Sequence, residues 1–162
     1  MAMRFANNED LPGIVEIYNA SIPLKAATAD LEPQSTSQRS LWFAQHNEDS
    51  YPIWIREEEG RMAGWIALNP YYGRPAYRIT AEVSLYLHPD FRGKGLGKKM
   101  LLFAIQEAPS RGFRNLLGYI FEHNKASVAL FEHCGFKRNA LLPGLADMDG
   151  FYADLGIYQL VL

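Results

Sequence analysis

Arg92-Gly93-Lys94-Gly95-Leu96-Gly97 sets three glycines at alternate positions, among cations, ahead of an apolar stretch with helical spacing. Glycines in such a turn let the backbone aim several N–H groups at one point, and a helix start adds partial positive charge there. Arg92, Lys94, Lys98 and Lys99 bring full charges to the same place. The chemistry this suits is capture of an anion such as a pyrophosphate. Two common nucleotide sites are disfavoured by spacing: Gly-x-x-x-x-Gly-Lys-Ser/Thr is absent, and Gly93-x-Gly95-x-Gly97 is not Gly-x-Gly-x-x-Gly. Glu82 alternates with Ser84 on the strand-like run that enters the loop, so the two share one face. A carboxylate there can accept a proton, or simply stand on an exposed strand face. Asn124 reads as a helix cap whose amide is also free to meet a ligand. The single cysteine, Cys134, has no disulfide partner and reads as a small buried hydrophobe at a helix end beside His133. His46, His88, His123 and His133 lack clustered ligand spacing, so no metal is expected.

The elements that must position these residues follow in series. Phe5 belongs to a short first strand, and Asn8 opens a helix carrying Leu11, Ile14, Val15 and Tyr18 on one face, with Pro12 in its first turn. Residues 22–33 read as an irregular loop. Ser35 and Gln38 form a capping-box pattern before a helix with Leu41, Trp42, Phe43 and Ala44. Residues 51–56 and 62–68 read as a hairpin around the 58–61 break, closed by Asn69-Pro70. Residues 71–77 form a tyrosine-rich loop, and a strand over 81–87 stops at His88-Pro89-Asp90. The spacing of Leu96, Met100, Leu101, Ala104, Ile105 and Ala108 predicts a long helix, ended by Pro109 and Gly112. A buried strand over 116–121, a helix from Asn124 to Cys134 stopped by Gly135, and two strands over 136–142 and 154–162 complete the chain.

At 162 residues and 48% apolar, the chain is sized for one domain, 1–162, with one substantial core. A net charge of -2 offers no broad basic surface for nucleic acid. No run of about 18 apolar residues occurs and the N-terminus is broken by charge, so a cytoplasmic protein with neither leader nor membrane span is expected.

Arg92-x-x-Gly95-x-Gly97 resembles the Gln/Arg-x-x-Gly-x-Gly/Ala motif of the GNAT superfamily of acetyltransferases. Downstream, Asn124-x-x-Ser127-x-x-Leu130-Phe131-x-x-x-Gly135-Phe136 is similar to that family's second signature, in the expected order and at the expected distance. The resemblance narrows to the phosphinothricin and methionine-sulfoximine acetyltransferases and covers nearly the whole chain, through Glu16-Ile17-Tyr18-Asn19, Arg39 with Trp42-Phe43, Tyr51-Pro52, residues 81–89, and Asp154-Leu155 to Gln159-Leu160. It implies an α/β fold with a twisted mixed sheet of about seven strands, two of them splayed, and flanking helices. It also implies acetyl-CoA as cosubstrate, a small-molecule amine as acceptor, and a homodimer. Leu85, Tyr86 and Leu87 would then hold the pantetheine through their backbone, Arg92, Gly93, Lys94, Gly95, Leu96 and Gly97 the pyrophosphate, and Asn124 with Ser127 the cofactor near its reactive end. Glu82 stands where the group carries a glutamate proposed as the base, with oxyanion donors near Leu85 or Leu87.

Departures from the pattern bear on chemistry. Phe131 occupies the place of a tyrosine or histidine and can neither donate nor accept a proton, leaving Tyr86, Tyr119 or water as acids. The closing loop, Met148 to Asp154, lacks two cations of the group and brings Asp147 and Asp149, while Tyr72 replaces an arginine near Arg74 and Arg78. The acceptor is therefore expected to be less anionic than phosphinothricin, with Tyr72, Arg74, Tyr77 and Tyr152 among its contacts, alongside Tyr71 and Phe151. Two alternatives stay open: acetylation of a protein N-terminus or lysine, and a non-catalytic coenzyme A sensor.

Overall fold

The computed structural model describes residues 3–162. Seven strands form one sheet in the order β1-β2-β3-β4-β5-β7-β6. They are β1 (Met3–Phe5), β2 (Ile53–Glu58), β3 (Arg61–Pro70), β4 (Thr80–Leu87), β5 (Asn115–Phe121), β6 (Lys137–Asp147) and β7 (Tyr152–Val161). Four helices flank them: α1 (Leu11–Ser21), α2 (Thr36–Ala44), α3 (Leu96–Glu107) and α4 (Lys125–His133). The expected mixed α/β architecture is present.

Period-two alternation sorts side chains to two cores. Ile53, Ile55, Trp65 and Ala67 pack under α1 with Ile14, Ile17 and Tyr18. Trp54, Ile66, Leu68 and Val83 face α3 and its Met100, Leu101 and Ala104. On β4 the same alternation turns Val83, Leu85 and Leu87 toward α3 and Tyr86 toward α1 and α2.

Every strand pair is antiparallel except β4–β5, the pair bridged by the α3 crossover. That parallel pairing lasts for only Thr80↔Asn115, Ala81↔Leu116 and Glu82↔Leu117. Beyond it the two strands part, and Leu130 and Phe131 of α4 line the opening.

Several local expectations change in detail. Asn7, not Asn8, caps the first helical segment, which begins as a 3-10 turn at Asn8–Asp10. On α2, Trp42 and Phe43 take the buried side, and Leu41 is 72% exposed. The last two strands are longer than their apolar runs: β6 continues through Pro143-Gly144 to Asp147 because a register shift between Leu142 and Ala146 absorbs the proline in an exposed strand. The Gly144 amide donates to Asp154 Oδ1 at 2.7 Å across that shift.

Phe131 packs against Gly118 so closely that a Cβ there would lie 2.6 Å from its Cε1. Gly118→Ala is expected to destabilise the protein by about 1–3 kcal/mol, the usual range for overpacking a core. Adding Phe131→Leu is expected to recover part of that loss. A urea-unfolding double-mutant cycle reads the coupling; strict additivity would refute the contact's importance.

Candidate active site

The parting of β4 and β5 opens a cavity of about 790 Å³. Glu82 to Leu87 form one wall and Gly118 to Phe121 the other, with Arg92 and Gly93 also lining it. The His88 amide donates to Ala63 O at 2.8 Å. Antiparallel ladders alternate, so the Tyr86 and Ser84 backbones also face β3, whereas Val83, Leu85 and Leu87 turn their N–H and C=O groups toward the gap. Of the three residues expected to hold a ligand through their backbone, Leu85 and Leu87 turn theirs to the gap and Tyr86 turns its own to β3. Tyr86 pairs with Trp65 of β3 and is also among the residues that line the cavity.

Below the opening, Gly93 and Gly95 take φ of 73° and 75°, a left-handed conformation that side chains disfavour. Gly95 is the N-cap of α3, and Lys99 N–H donates to Gly95 O at 3.4 Å. The amides of Leu96, Gly97 and Lys98 are thus the unpaired donors of the helix start. Arg92 Nε donates to Leu87 O at 3.2 Å, which ties the loop to the end of β4. Lys94 is exposed, with Nζ 5.2 Å from the Phe91 ring centre, while Leu96 and Gly97 are buried in the first turn. Asn124 Oδ1 accepts from Ser127 N–H at 3.2 Å, and both residues line the cavity. A free strand edge, a glycine turn and a cationic rim together fit a long thioester with a diphosphate at one end.

A strap between α1 and α2 closes the other end. Ala26 to Ala29 line the cavity, held from both sides. Tyr86 Oη donates to Ala27 O at 3.1 Å, Asn124 Nδ2 to Ala26 O at 3.3 Å, and His123 Nε2 to Lys25 O at 2.7 Å. Tyr18 Oη bonds to Thr28 Oγ1 and donates to Asp30.

Glu82 and Ser84 face this cavity and also a smaller one of about 270 Å³ on the α1–α2 side of the sheet. Tyr18, Arg39, Trp42, Trp65 and Asn69 supply most of its remaining wall. Burial pushes the Glu82 carboxyl above the usual carboxylate range. Asn69 is the joint of this region: Nδ2 donates to Glu82 O at 3.1 Å and to Ser84 Oγ at 2.9 Å, and Oδ1 accepts from Trp42 Nε1 at 3.1 Å. Burial, then the bond to Tyr71 in the case of Tyr119, raises the Tyr86 and Tyr119 phenols, so both stay protonated at neutral pH.

The remaining expected contacts lie elsewhere. Tyr72 and Tyr152 are 75% and 76% exposed, Tyr77 and Arg74 are exposed too, and none lines either cavity of the single chain. The rings of Tyr71, Tyr72 and Tyr77 pack together with centres 5.3–6.0 Å apart, Tyr77 edge to face with the other two. Asp147 accepts the Asp149 amide at 2.9 Å in the tight turn before β7 and faces solvent. Arg39 and Asn69 carried no role in the sequence reading, although the i, i+3 spacing of Arg39 and Trp42 put them on one helix face. Among the described residues, no group of three or more His, Cys, Asp or Glu could hold a metal ion, and no helix is long and apolar enough to cross a membrane.

The Acetyltransferase (GNAT) family matches residues 12–136. A Bacillus subtilis (strain 168) protein, YwnH, named provisionally as a phosphinothricin acetyltransferase, is 46% identical over 97% of this chain and 96% of its own. The L-amino acid N-acyltransferase MnaT of Escherichia coli (strain K12) is 34% identical over 100% of this chain and 94% of its own. The fold superposes with a TM-score of 0.93 on a Sinorhizobium meliloti phosphinothricin acetyltransferase in complex with acetyl-CoA, at 31% identity over 99% of this chain and 88% of that one. With its open β4–β5 gap and glycine loop in the matched segment, the chain belongs to the GNAT acetyltransferase family.

Proposed function

We propose that the chain, acting as one domain, moves the acetyl group of acetyl-CoA to the primary amine of a small molecule, with Glu82 as the base. The observation that carries this reading is the early end of the β4–β5 pairing, which leaves the Leu85 and Leu87 backbone facing the gap beside Glu82. Acetyl-CoA supplies an acyl group activated as a thioester. Leu85 and Leu87 lie along its arm and offer N–H donors to charge growing on a carbonyl oxygen. The amides from Gly93 to Lys98 and the Arg92 side chain suit the diphosphate. Glu82 takes the proton that an attacking ammonium must shed, directly or through water, and its raised pKa makes it the stronger base. Phe131 contributes packing only, and the Tyr86 proton is engaged with Ala27 O, which leaves Tyr119 or water to protonate the departing thiolate.

A cavity of about 270 Å³ suits a small acceptor better than a polypeptide chain. The same reading has the enzyme working in the cytoplasm as a homodimer, with exposed Tyr72, Tyr77, Tyr152 and Leu145 as apolar surface for the second copy.

Glu82→Gln is expected to lower kcat by about 10²–10⁴-fold while calorimetry finds acetyl-CoA affinity unchanged. An unaltered kcat would remove Glu82 from the chemistry, and a wild type without turnover would favour a sensor. Linkage gives a second reading. A carboxyl whose folded pKa lies above its ordinary 4.5 binds more protons folded than unfolded, so stability falls as pH rises through that window. Wild type and Glu82→Gln should match in stability below it, and the variant should be the more stable above it. Independently, Gly95→Val should weaken acetyl-CoA binding by about tenfold or more by straining the left-handed turn, with kcat at saturation retained.

A further inference from the structure

The neighbours of Asn69 leave its amide one orientation. The Trp42 indole N–H can only donate and the Glu82 carbonyl can only accept, so Oδ1 takes the first at 3.1 Å and Nδ2 meets the second at 3.1 Å. Nδ2 then donates also to Ser84 Oγ, at 2.9 Å. Ser84 lines both cavities beside Glu82, and with Oγ accepting from Asn69 its own hydroxyl proton remains for a bound molecule.

His46 holds the other end of that amide. Its Nε2 lies 3.0 Å from Asn69 Oδ1, and its Nδ1 lies 2.8 Å from Trp42 O. Both partners are acceptors, so both ring nitrogens must donate, and only the imidazolium carries two N–H groups. A neutral ring leaves one of the two contacts with lone pair facing lone pair. Burial first, and then the Arg39 charge on the same helix, keeps the imidazole below its usual range, against the pull of Trp42 O and Asn69 Oδ1. Glu82 stands beyond Asn69 on β4, and Glu48 and Asp49 follow in the chain, exposed. The ring therefore gains its second proton only as pH falls below the ordinary histidine range, and loses it as pH rises.

We propose that His46 is a positioning residue for acetyl transfer that acts through Asn69. Doubly protonated, it fixes the Asn69 amide and with it the Ser84 hydroxyl and the Glu82 backbone; neutral, it lets that hold slacken. The proposal rests on the acetyl-transfer reading and adds to it a residue that lines neither cavity yet sets the acceptor wall as a function of pH. Strand alternation spares the cofactor side, because Leu85 and Leu87 turn away from this wall toward α3.

Two substitutions separate the donor from its titration. His46→Gln keeps an amide N–H for Asn69 at every pH, and His46→Phe keeps a ring beside Trp42 with no donor. Proton–nitrogen correlation spectra of the full chain follow the imidazole and the Asn69 side-chain amide from about pH 5 to about pH 8. Both ring nitrogens should carry protons at the acid end. The Asn69 signals should shift with the midpoint of the ring in wild type and stay in place in His46→Gln. The kinetic arm measures thiol release from acetyl-CoA with a panel of primary amines, the best acceptor being used throughout. In the ratio of kcat/KM for wild type to that for His46→Gln, the titrations of the amine and of Glu82 cancel. That ratio should fall by about 2–10-fold, the worth of one hydrogen bond, as pH rises through the ring's midpoint, with the KM of acetyl-CoA unmoved. His46→Phe should show the lower value at every pH. An Asn69 amide indifferent to the ring's titration, a flat ratio, or an equal change in the KM of acetyl-CoA would overturn the proposal. If His46→Phe fails to fold, the wild-type titration and His46→Gln decide. If no amine releases thiol although acetyl-CoA binds, the transferase reading fails, and the spectra alone decide whether His46 governs Asn69.

Discussion

Everything in the site depends on β4 and β5 ceasing to pair after Glu82 and Leu117. A buried backbone amide without a partner is costly, so sheets rarely abandon pairing in their middle. Here β4 runs on for five residues beyond its last pairing with β5, and at its end Leu87 O accepts from Arg92 Nε. The fold thereby carries a line of polar groups that a bound molecule with amide bonds of its own can satisfy. Phe131, seated on Gly118, fills the base of the opening on the β5 side.

One strand therefore serves two substrates. Strand alternation turns the Leu85 and Leu87 backbone toward the thioester side and the Glu82 and Ser84 side chains toward the small cavity under α1 and α2. A register slip of one residue against β3 would exchange these roles and place leucines where the carboxylate stands. Seven paired positions along β3 and the Asn69 bonds to Glu82 O and Ser84 Oγ hold that register.

Much of this was legible in the residues. Alternation marked β2 to β5, periodicity marked α3, and the glycine spacing marked the turn at its start, because each is a local signal. What was not legible depended on contacts distant in sequence. Leu41, Trp42 and Phe43 are adjacent apolar residues of one helix, and which of them α2 buries is decided by where Trp65 and Tyr18 lie. Pro143-Gly144 looked like a loop end, yet an exposed strand tolerates a proline once its register shifts. Arg39 showed only its spacing to Trp42, while its place between the Tyr18 and Trp42 rings is a property of the folded surroundings. Tyr72, Tyr77 and Tyr152 drew notice by composition, and tertiary structure leaves them on the outer surface.

The strap from Lys25 to Asp30 bears on the kinetics of loading. Its carbonyls are held by Tyr86 on one arm and by His123 and Asn124 at the end of the other, and Lys25 Nζ reaches Asp149 O at 2.8 Å beyond them. The spacing of the arms is thus set before any ligand arrives, and the ordering entropy has been met during folding rather than at encounter. A ligand that enters the cleft therefore meets, at the strap, a wall already in place.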